Sequence, residues 1–218
     1  MNDVLIVILI IFGVIAILAM SFYLSRRRTQ AIEALAVELG FNFGGRDRQL
    51  LPDPVWQFDL FSKGRSRSVA NLIWGQREMA EVYLFDYSYH TGTSRKRSQP
   101  HRQTVVCLSS QALNLPPFLL VPENIFHKLG NLFGYHDIDF PNYPNFSRRY
   151  LLRGADEADI RDCFHLEVIE AYEARSGVST EGKGSCLIYY YSRRGVAPKN
   201  WPELMDEALA VYRQFRRL

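Results

Sequence analysis

The sequence is short of cysteine, of net charge and of the motifs that mark common enzyme classes. Three cysteines in 218 residues exclude a small domain held together by disulfides, and their odd number fits a reducing compartment. The net charge of +3 is too small to indicate a nucleic-acid partner. A P-loop, a nucleophile elbow and a C-x-x-C pair are all missing from the sequence. We therefore predict no nucleic-acid partner, no cofactor and no catalytic residue.

One long apolar run stands near the amino terminus. Val4 to Ser25 contains no charged residue, and as a helix it would be about 33 Å long at a rise of about 1.5 Å per residue. The hydrocarbon core of a bilayer is about 30 Å thick, so this run, with Gly13 inside it, predicts one transmembrane helix. A cleaved signal peptide is the alternative, but the residues before the run include Asp3 and no Lys or Arg.

The charges beside the apolar run indicate its orientation. Arg26, Arg27 and Arg28 follow the run directly, whereas Asp3 and the terminal amine precede it. The positive-inside rule therefore predicts an outside amino terminus and a cytoplasmic carboxyl-terminal domain. We divide the chain into a transmembrane anchor with a basic flank, 1–28, and a soluble domain, 29–218.

Strands are predicted in the first part of the soluble domain, where aromatic and β-branched residues cluster. Met79 to Tyr89 is the strongest candidate, and both of its faces are expected to be covered. Gln103 to Ser109 is predicted as its antiparallel partner, with His90 to Arg102 as the hairpin tip. Shorter strands are predicted at Trp56 to Ser62, Arg67 to Trp74, Phe118 to Val121, Tyr150 to Arg153 and Gly184 to Ser192.

Helices are predicted mainly in the second part, apart from Gln30 to Gly40, whose apolar stripe is expected to pack on the domain. Asp156 is a predicted N-cap, with Asp159 three positions later. The helix that follows this cap is predicted to end at Phe164. The other helices are predicted at Ile125 to Leu132, Leu166 to Arg175 and Trp201 to Leu218. Strands precede helices without regular alternation, so the predicted fold class is α+β with a mainly antiparallel sheet.

Several segments together carry a resemblance to known proteins. They are FDYSYHTG at Phe85 to Gly92, RQTVVCL at Arg102 to Leu108, LPPFLLVPEN at Leu115 to Asn124 and HDIDFPNYPNFSRRYLLRGADEADIR at His136 to Arg161. With the N-terminal run, they resemble an uncharacterised family of bacterial single-pass membrane-anchored proteins with a C-terminal α+β domain. The resemblance implies a bacterial inner-membrane or plasma-membrane location and implies no reaction.

One cluster has the residue types of a metal site. His136, Asp137 and Asp139 offer an imidazole and two carboxylates, and the two aspartates would share a face of an extended segment. The alternative is structural: these carboxylates cap a turn or pair with Arg148, Arg149 or Arg153. The structural interpretation is favoured, and no metal is assigned.

The predicted hairpin tip is basic. Arg95, Lys96, Arg97 and Arg102 lie among Ser, Thr and Gly without an intervening acid. Beside an anionic leaflet, each such charge contributes about 1 kcal/mol to membrane attraction. These four residues are therefore predicted lipid contacts, with a solvated turn as the alternative.

The function predicted from these features is a non-enzymatic, membrane-tethered cytoplasmic interaction or scaffolding domain. Its predicted partners are the lipid bilayer and a protein that the sequence does not identify. The alternative is a membrane-bound metal-dependent hydrolase that uses His136, Asp137 and Asp139.

Overall fold

A computed structural model describes residues 2–92, 98–126 and 137–216. Its strands are β1 (Asn42–Gly45), β2 (Arg65–Arg77), β3 (Ala80–Thr91), β4 (Gln99–Ser109), β5 (Leu115–Pro122), β6 (Tyr150–Gly154), β7 (Val178–Gly184) and β8 (Cys186–Tyr191). Its α-helices are α1 (Asn2–Leu39), α2 (Asp59–Ser62), α3 (Glu123–Phe126), α4 (Pro144–Arg149), α5 (Glu157–Cys163), α6 (Leu166–Glu173) and α7 (Trp201–Phe215).

The eight strands form one sheet in the order β1-β2-β3-β4-β8-β7-β5-β6, and every neighbouring pair is antiparallel. The predicted α+β class with an antiparallel sheet is therefore confirmed. β1 and β6 are the two edges. The edge strand β6 is partly covered, because the amide of Ile138 donates to the carbonyl of Leu152 at 2.9 Å.

Each face of the sheet is buried against a different layer. On one face, the carboxyl-terminal part of α1 and the helices α5, α6 and α7 pack on the sheet in the larger core cluster. On the other face, α2 and the 3-10 turn Asp53–Gln57 cover a smaller cluster. The alternation of β3 follows this division: Val82 and Leu84 enter the larger cluster, and Phe85 and Tyr87 enter the smaller one.

The end of α1 and the starts of α5 and α7 lie close to the residues that the sequence predicts. Gly40 lies just beyond α1 with a φ of +65°, a backbone conformation that glycine adopts without a Cβ clash. At the start of α5, the carboxylate of Asp156 accepts from the amide of Asp159 at 3.1 Å, which confirms the predicted N-cap. In α7, Leu204, Ala208, Val211 and Phe215 are buried at helical spacing.

The predicted strand at Trp56 to Ser62 is wrong. The 3-10 turn Asp53–Gln57 and the helix α2 occupy this segment instead. Pro52 and Pro54 favour a tight turn, and Phe58, Leu60 and Phe61 all enter the smaller cluster rather than alternating between two faces. The segment therefore covers the sheet instead of joining it.

The strand β7 has no counterpart among the predicted strands. Its sequence VSTEGKG is polar, yet it lies between β8 and β5, and Ser179, Thr180 and Glu181 are buried. Hydropathy cannot identify such a strand, because Glu181 and Lys183 form their hydrogen bonds with Leu60 and Gln57, which are distant in sequence.

Three other boundaries differ from the prediction. Strand pairing continues to Thr91 and resumes at Gln99, so the hairpin connection is shorter than His90 to Arg102. β5 begins at Leu115, with a register irregularity at its two internal prolines. The predicted helix Ile125 to Leu132 overlaps α3 at its start, and its last six residues lie outside the described part of the chain.

Candidate functional site

The helix α1 passes through two environments without a break. Its apolar side chains from Leu5 to Leu24 are uncovered, with Phe12 71% exposed, whereas Ile32 is fully buried in the larger core cluster. Among the residues that the structure describes, α1 is the one helix whose length and hydropathy would allow it to cross a membrane. The predicted boundary between residues 28 and 29 therefore falls inside a continuous helix.

Arg28 joins the end of the uncovered part of α1 to the sheet. Its Nε and Nη2 donate to the two carboxylate oxygens of Asp86 on β3, each at 2.7 Å. Nη2 also donates to the carbonyl of Val196 at 2.8 Å, and the guanidinium lies 5.9 Å from the ring centre of Trp201. A bidentate contact with a carboxylate is among the stronger hydrogen-bond arrangements in proteins, so this residue fixes α1 on the domain.

A β-bulge in β2 brings a further donor to Asp86. The register of β2 and β3 shifts between Ala70 and Ile73, and Asn71 within this bulge has a φ of +55°. Asparagine tolerates this conformation better than most residues, and a bulge redirects the side chain it carries. The side-chain amide of Asn71 accordingly donates to Asp86 at 2.8 Å.

The carboxylate of Asp86 is fully engaged. Besides Arg28 and Asn71, the hydroxyl of Thr104 on β4 donates to it at 3.0 Å. The hydroxyl of Thr29, one residue beyond Arg28, donates to the side-chain oxygen of Asn71 at 2.8 Å. These hydrogen bonds join α1 to β2, β3 and β4. The negative charge of Asp86 is balanced by the positive charge of Arg28.

α1 and β3 run in opposite directions. Near the carboxyl end of α1, Arg77, which pairs with the first residue of β3, donates to the carbonyl of Leu39. Further back along α1, Arg28 meets Asp86. β3 then continues to Thr91, about 16 Å further at about 3.3 Å per residue, so the β3–β4 hairpin extends toward the side of the apolar run.

A cavity of about 650 Å³ lies at this junction, and we call it the junction cavity. Its wall is formed by α1, by the loop after β1 and by β2, β3 and β4. The lining residues are Ser21, Leu24, Ser25, Arg28, Arg46, Ser68, Ala70, Asn71, Asp86, Tyr87, Ser88, Arg102 and Gly195. Three arginines stand against one aspartate, so the lining is cationic.

Two of these arginines differ from Arg28 in their surroundings. Arg46 and Arg102 are exposed, and none of the ion pairs among the described residues involves either of them. The two other arginines of the predicted basic flank lie along α1 itself, with Arg26 over the ring of Phe22 and Arg27 over the ring of Tyr23.

The structure describes one of the four predicted lipid contacts, Arg102. Arg95, Lys96 and Arg97 lie outside the described residues. Arg102 lies within β4 opposite Ser88 and not in the hairpin tip, because the strand pairing extends further than the sequence predicts. Its place in the junction cavity was not predicted.

Of the three predicted metal candidates, Asp137 has a side chain with a structural contact. His136 lies outside the described residues. Asp137 and Asp139 share an exposed side, and the carboxylate of Asp137 accepts from the amide of Leu152 on the edge strand β6 at 3.2 Å. Within residues 2–92, 98–126 and 137–216, no three His, Cys, Asp or Glu residues form a group that could hold a metal ion.

A second polar group lies inside the smaller core cluster. The carboxylate of Glu181 on β7 accepts from the amide of Leu60 in α2 at 3.0 Å and from the hydroxyl of Tyr190 at 2.9 Å. Burial raises the pKa of Glu181 to about 7. Glu181 therefore links α2 to the sheet by hydrogen bonds, although its carboxyl group is buried.

Sequence reasoning missed most of the junction. Asp86, an acidic residue near the middle of the largely apolar strand β3, was the available signal. Its partner Arg28 is 58 positions away, and Asn71 depends on a bulge that no local pattern reveals.

Fold and site together define an α+β domain fixed to the end of a long N-terminal apolar helix. No family model matches the chain, and no curated protein matches it. The fold is similar to that of the mycobacterial trehalose monomycolate transport factor A, TtfA, in its crystal structure, with a TM-score of 0.57 and 12% sequence identity. The similarity covers 87% of this chain and 93% of that one. At this identity, the likeness concerns the fold.

Proposed function

We propose that this protein is a non-enzymatic interaction domain tethered to the bacterial inner or plasma membrane by one transmembrane helix. The main support is the continuity of α1: its uncovered apolar part continues without a break into a part that is buried in the domain. Such a helix would hold the domain directly at the bilayer surface, with little freedom to turn away from it.

The proposed orientation has the amino terminus outside and the domain in the cytoplasm. The exposed cations Arg26 and Arg27 support it, since positive residues beside a span favour the cytoplasmic side. Arg28 contributes less to this argument, because Asp86 neutralises its charge.

The proposed role is that of an accessory factor in a membrane process. The structural neighbour TtfA is described as a transport factor, and a comparable fold here supports a non-catalytic role beside other membrane components. Exposed apolar side chains on the domain, including Phe43 on the edge strand β1 and Trp56 in the 3-10 turn Asp53–Gln57, support a protein partner on the domain itself.

Photocrosslinking of the native protein in its membrane tests this proposal. A photoreactive residue would replace Phe43 or Trp56, with the exposed Glu170 on α6 as the matched control position. We expect a discrete adduct with another polypeptide from positions 43 and 56 and none from Glu170. The adduct should vanish when residues 1–25 are deleted, because the domain then leaves the membrane.

Two results would overturn the proposal. One is the absence of any adduct together with turnover of a substrate by the purified full-length protein. The other is one tightly held metal ion per chain that is lost in Asp139→Ala, which would favour the hydrolase alternative.

A further inference from the structure

The junction cavity lies at the end of the apolar run. Leu24 and Ser25, the last residues of Val4 to Ser25, form part of its wall together with Ser21. If the run spans the bilayer as proposed above, this wall stands at the depth of the lipid headgroups. The inference below rests on that proposed function.

The cavity offers two cations, Arg46 and Arg102, that belong to none of the ion pairs within the described part of the chain. Asp86 is the acidic residue in its wall, and Arg28, Asn71 and Thr104 already donate hydrogen bonds to that carboxylate. Arg46 and Arg102 both line the cavity and are exposed, so their charges are open to a ligand. Guanidinium groups suit phosphate well, because their planar donors match two phosphate oxygens.

The size and the polarity of the cavity suit a headgroup. Its volume of about 650 Å³ lies within the range of about 300–1,000 Å³ that is usual for small-molecule sites. The hydroxyls of Ser68 and Ser88 supply donors and acceptors for glycerol or phosphate oxygens. On the side of α1, Leu24 is exposed and leads into the uncovered apolar run.

We propose that the junction cavity binds the phosphate group of an anionic membrane lipid, with Arg46 and Arg102 as its ligands. The acyl chains then lie along the apolar surface of α1, which a soluble phosphate ester would leave uncovered. Arg28 acts differently: it positions α1 against β3 and removes the negative charge of Asp86 from the cavity.

Lipid retention by the full-length protein tests this proposal. The protein would be reconstituted in bilayers of phosphatidylglycerol and phosphatidylcholine in equal parts, released, and examined by native mass spectrometry. We expect wild type to retain phosphatidylglycerol in preference to phosphatidylcholine. The variant Arg46→Gln/Arg102→Gln should retain it about thirtyfold less, since each arginine near an anionic surface contributes about a fivefold gain in affinity.

Two further variants separate charge, shape and folding. Arg148→Gln/Arg149→Gln removes the same number of charges from α4, outside the cavity lining, and should retain lipid like wild type. Ser68→Phe fills the cavity from an exposed strand position without changing its charge and should lose retention. Thermal unfolding of each variant identifies any loss that comes from misfolding.

The outcomes distinguish the lipid from other sources of phosphate. Equal retention in wild type and Arg46→Gln/Arg102→Gln would overturn the proposal, as would equal loss in both arginine pairs. Displacement of the bound species by millimolar glycerol 3-phosphate, with no preference among lipids, would assign the site to a soluble phosphate ester instead. Vesicle flotation of the same variants tests the proposed tether separately, because α1 should keep them membrane-bound.

Discussion

Arg28 connects the basic flank of the apolar run to the folded domain. An arginine beside an apolar run is expected to be exposed, yet the side chain of Arg28 is 29% exposed and is paired with the carboxylate of Asp86, whose side chain is 22% exposed. Partial burial makes the pair worth more than a surface ion pair, because less solvent screens it. The Arg28–Asp86 pair both orients α1 on the domain and stabilises the fold.

We predict a measurable coupling between Arg28 and Asp86. Arg28→Ala and Asp86→Ala should each destabilise the domain, and the double variant should cost less than the sum of the two. Hydrogen bonds between charged groups contribute about 1.5–3 kcal/mol, so we expect an interaction free energy of about 1–3 kcal/mol. Chemical unfolding of the full-length protein in detergent measures it.

A neighbouring arginine provides the control for this cycle. Arg26 is exposed and lies over Phe22 on the same helix, so Arg26→Ala should change the free energy of unfolding by no more than about 0.5 kcal/mol. Additive effects of Arg28→Ala and Asp86→Ala would contradict the assigned role of the pair.

We predict that the buried carboxyl of Glu181 makes the stability of the domain depend on pH. Burial raises its pKa to about 7 from an ordinary value of 4.5. The folded chain therefore binds more protons at this site than the unfolded chain between these two values, so stability falls as the pH rises through this window and levels off above it. Glu181→Gln cannot ionise and should remove this decline.

The size of the effect follows from the pKa difference. At about 1.4 kcal/mol per pKa unit, the gain of Glu181→Gln over wild type should be larger at pH 8 than at pH 4.5 by up to about 3 kcal/mol. Unfolding across this pH range measures it, with Glu33→Gln on the exposed side of α1 as the control. Parallel pH profiles of wild type and Glu181→Gln would refute the prediction.

At the scale of the element, α1 has one stripe that matters to the domain. Ile32, Leu35 and Ala36 are buried in the larger core cluster, whereas Val37 on the same helix is 79% exposed. The helix therefore owes its docking to a stripe of side chains and to Arg28, not to its overall hydrophobicity.

We predict that Ile32→Ala and Val37→Ala differ strongly. Removing a fully buried isoleucine side chain leaves a cavity and should destabilise the domain by about 2–5 kcal/mol. Val37→Ala should change the free energy of unfolding by less than about 0.5 kcal/mol. Tryptophan fluorescence during chemical unfolding provides the measurement, since Trp201 lies in the same cluster. Similar effects of the two substitutions would show that α1 is not docked.

Elements differ in how far their sequences reveal them. β3 is evident from its sequence because apolar residues occupy both of its faces. α5 is evident because its N-cap, Asp156, bonds an amide only three residues further along the chain. The segment at α2 and the strand β7 were missed or misassigned, since the first is apolar without being a strand and the second is polar without being a loop. In both, burial against distant residues overrides the local pattern.

At the scale of the whole molecule, a continuous α1 couples the apolar run to the domain. A flexible linker would let the domain sample many positions, but a helix that enters the core confines it. The junction cavity and the β3–β4 hairpin then both lie on the side of the apolar run.

The orientation is testable in cells. Alkaline phosphatase fused to the carboxyl terminus, which is active only outside the cytoplasm, should stay inactive, and a fluorescent protein at the same place should mature. Transfer of the flanking charge, by Arg26→Ser and Arg27→Ser with Asn2→Lys and Asp3→Lys, should raise phosphatase activity. An active phosphatase fusion of the wild-type protein would reverse the proposed topology.

The sequence by itself determined the long apolar helix, the α+β class, the central strands and the caps, because each depends on residues that are close along the chain. The tertiary structure decided that Arg28 would bond to Asp86 and that Arg102 would line a cavity with Arg46. It also decided that Asp137 would accept a hydrogen bond from the edge strand β6. These contacts depend on strand register, on the bulge at Asn71 and on the packing of α1. Such features arise only when segments far apart in sequence are buried together.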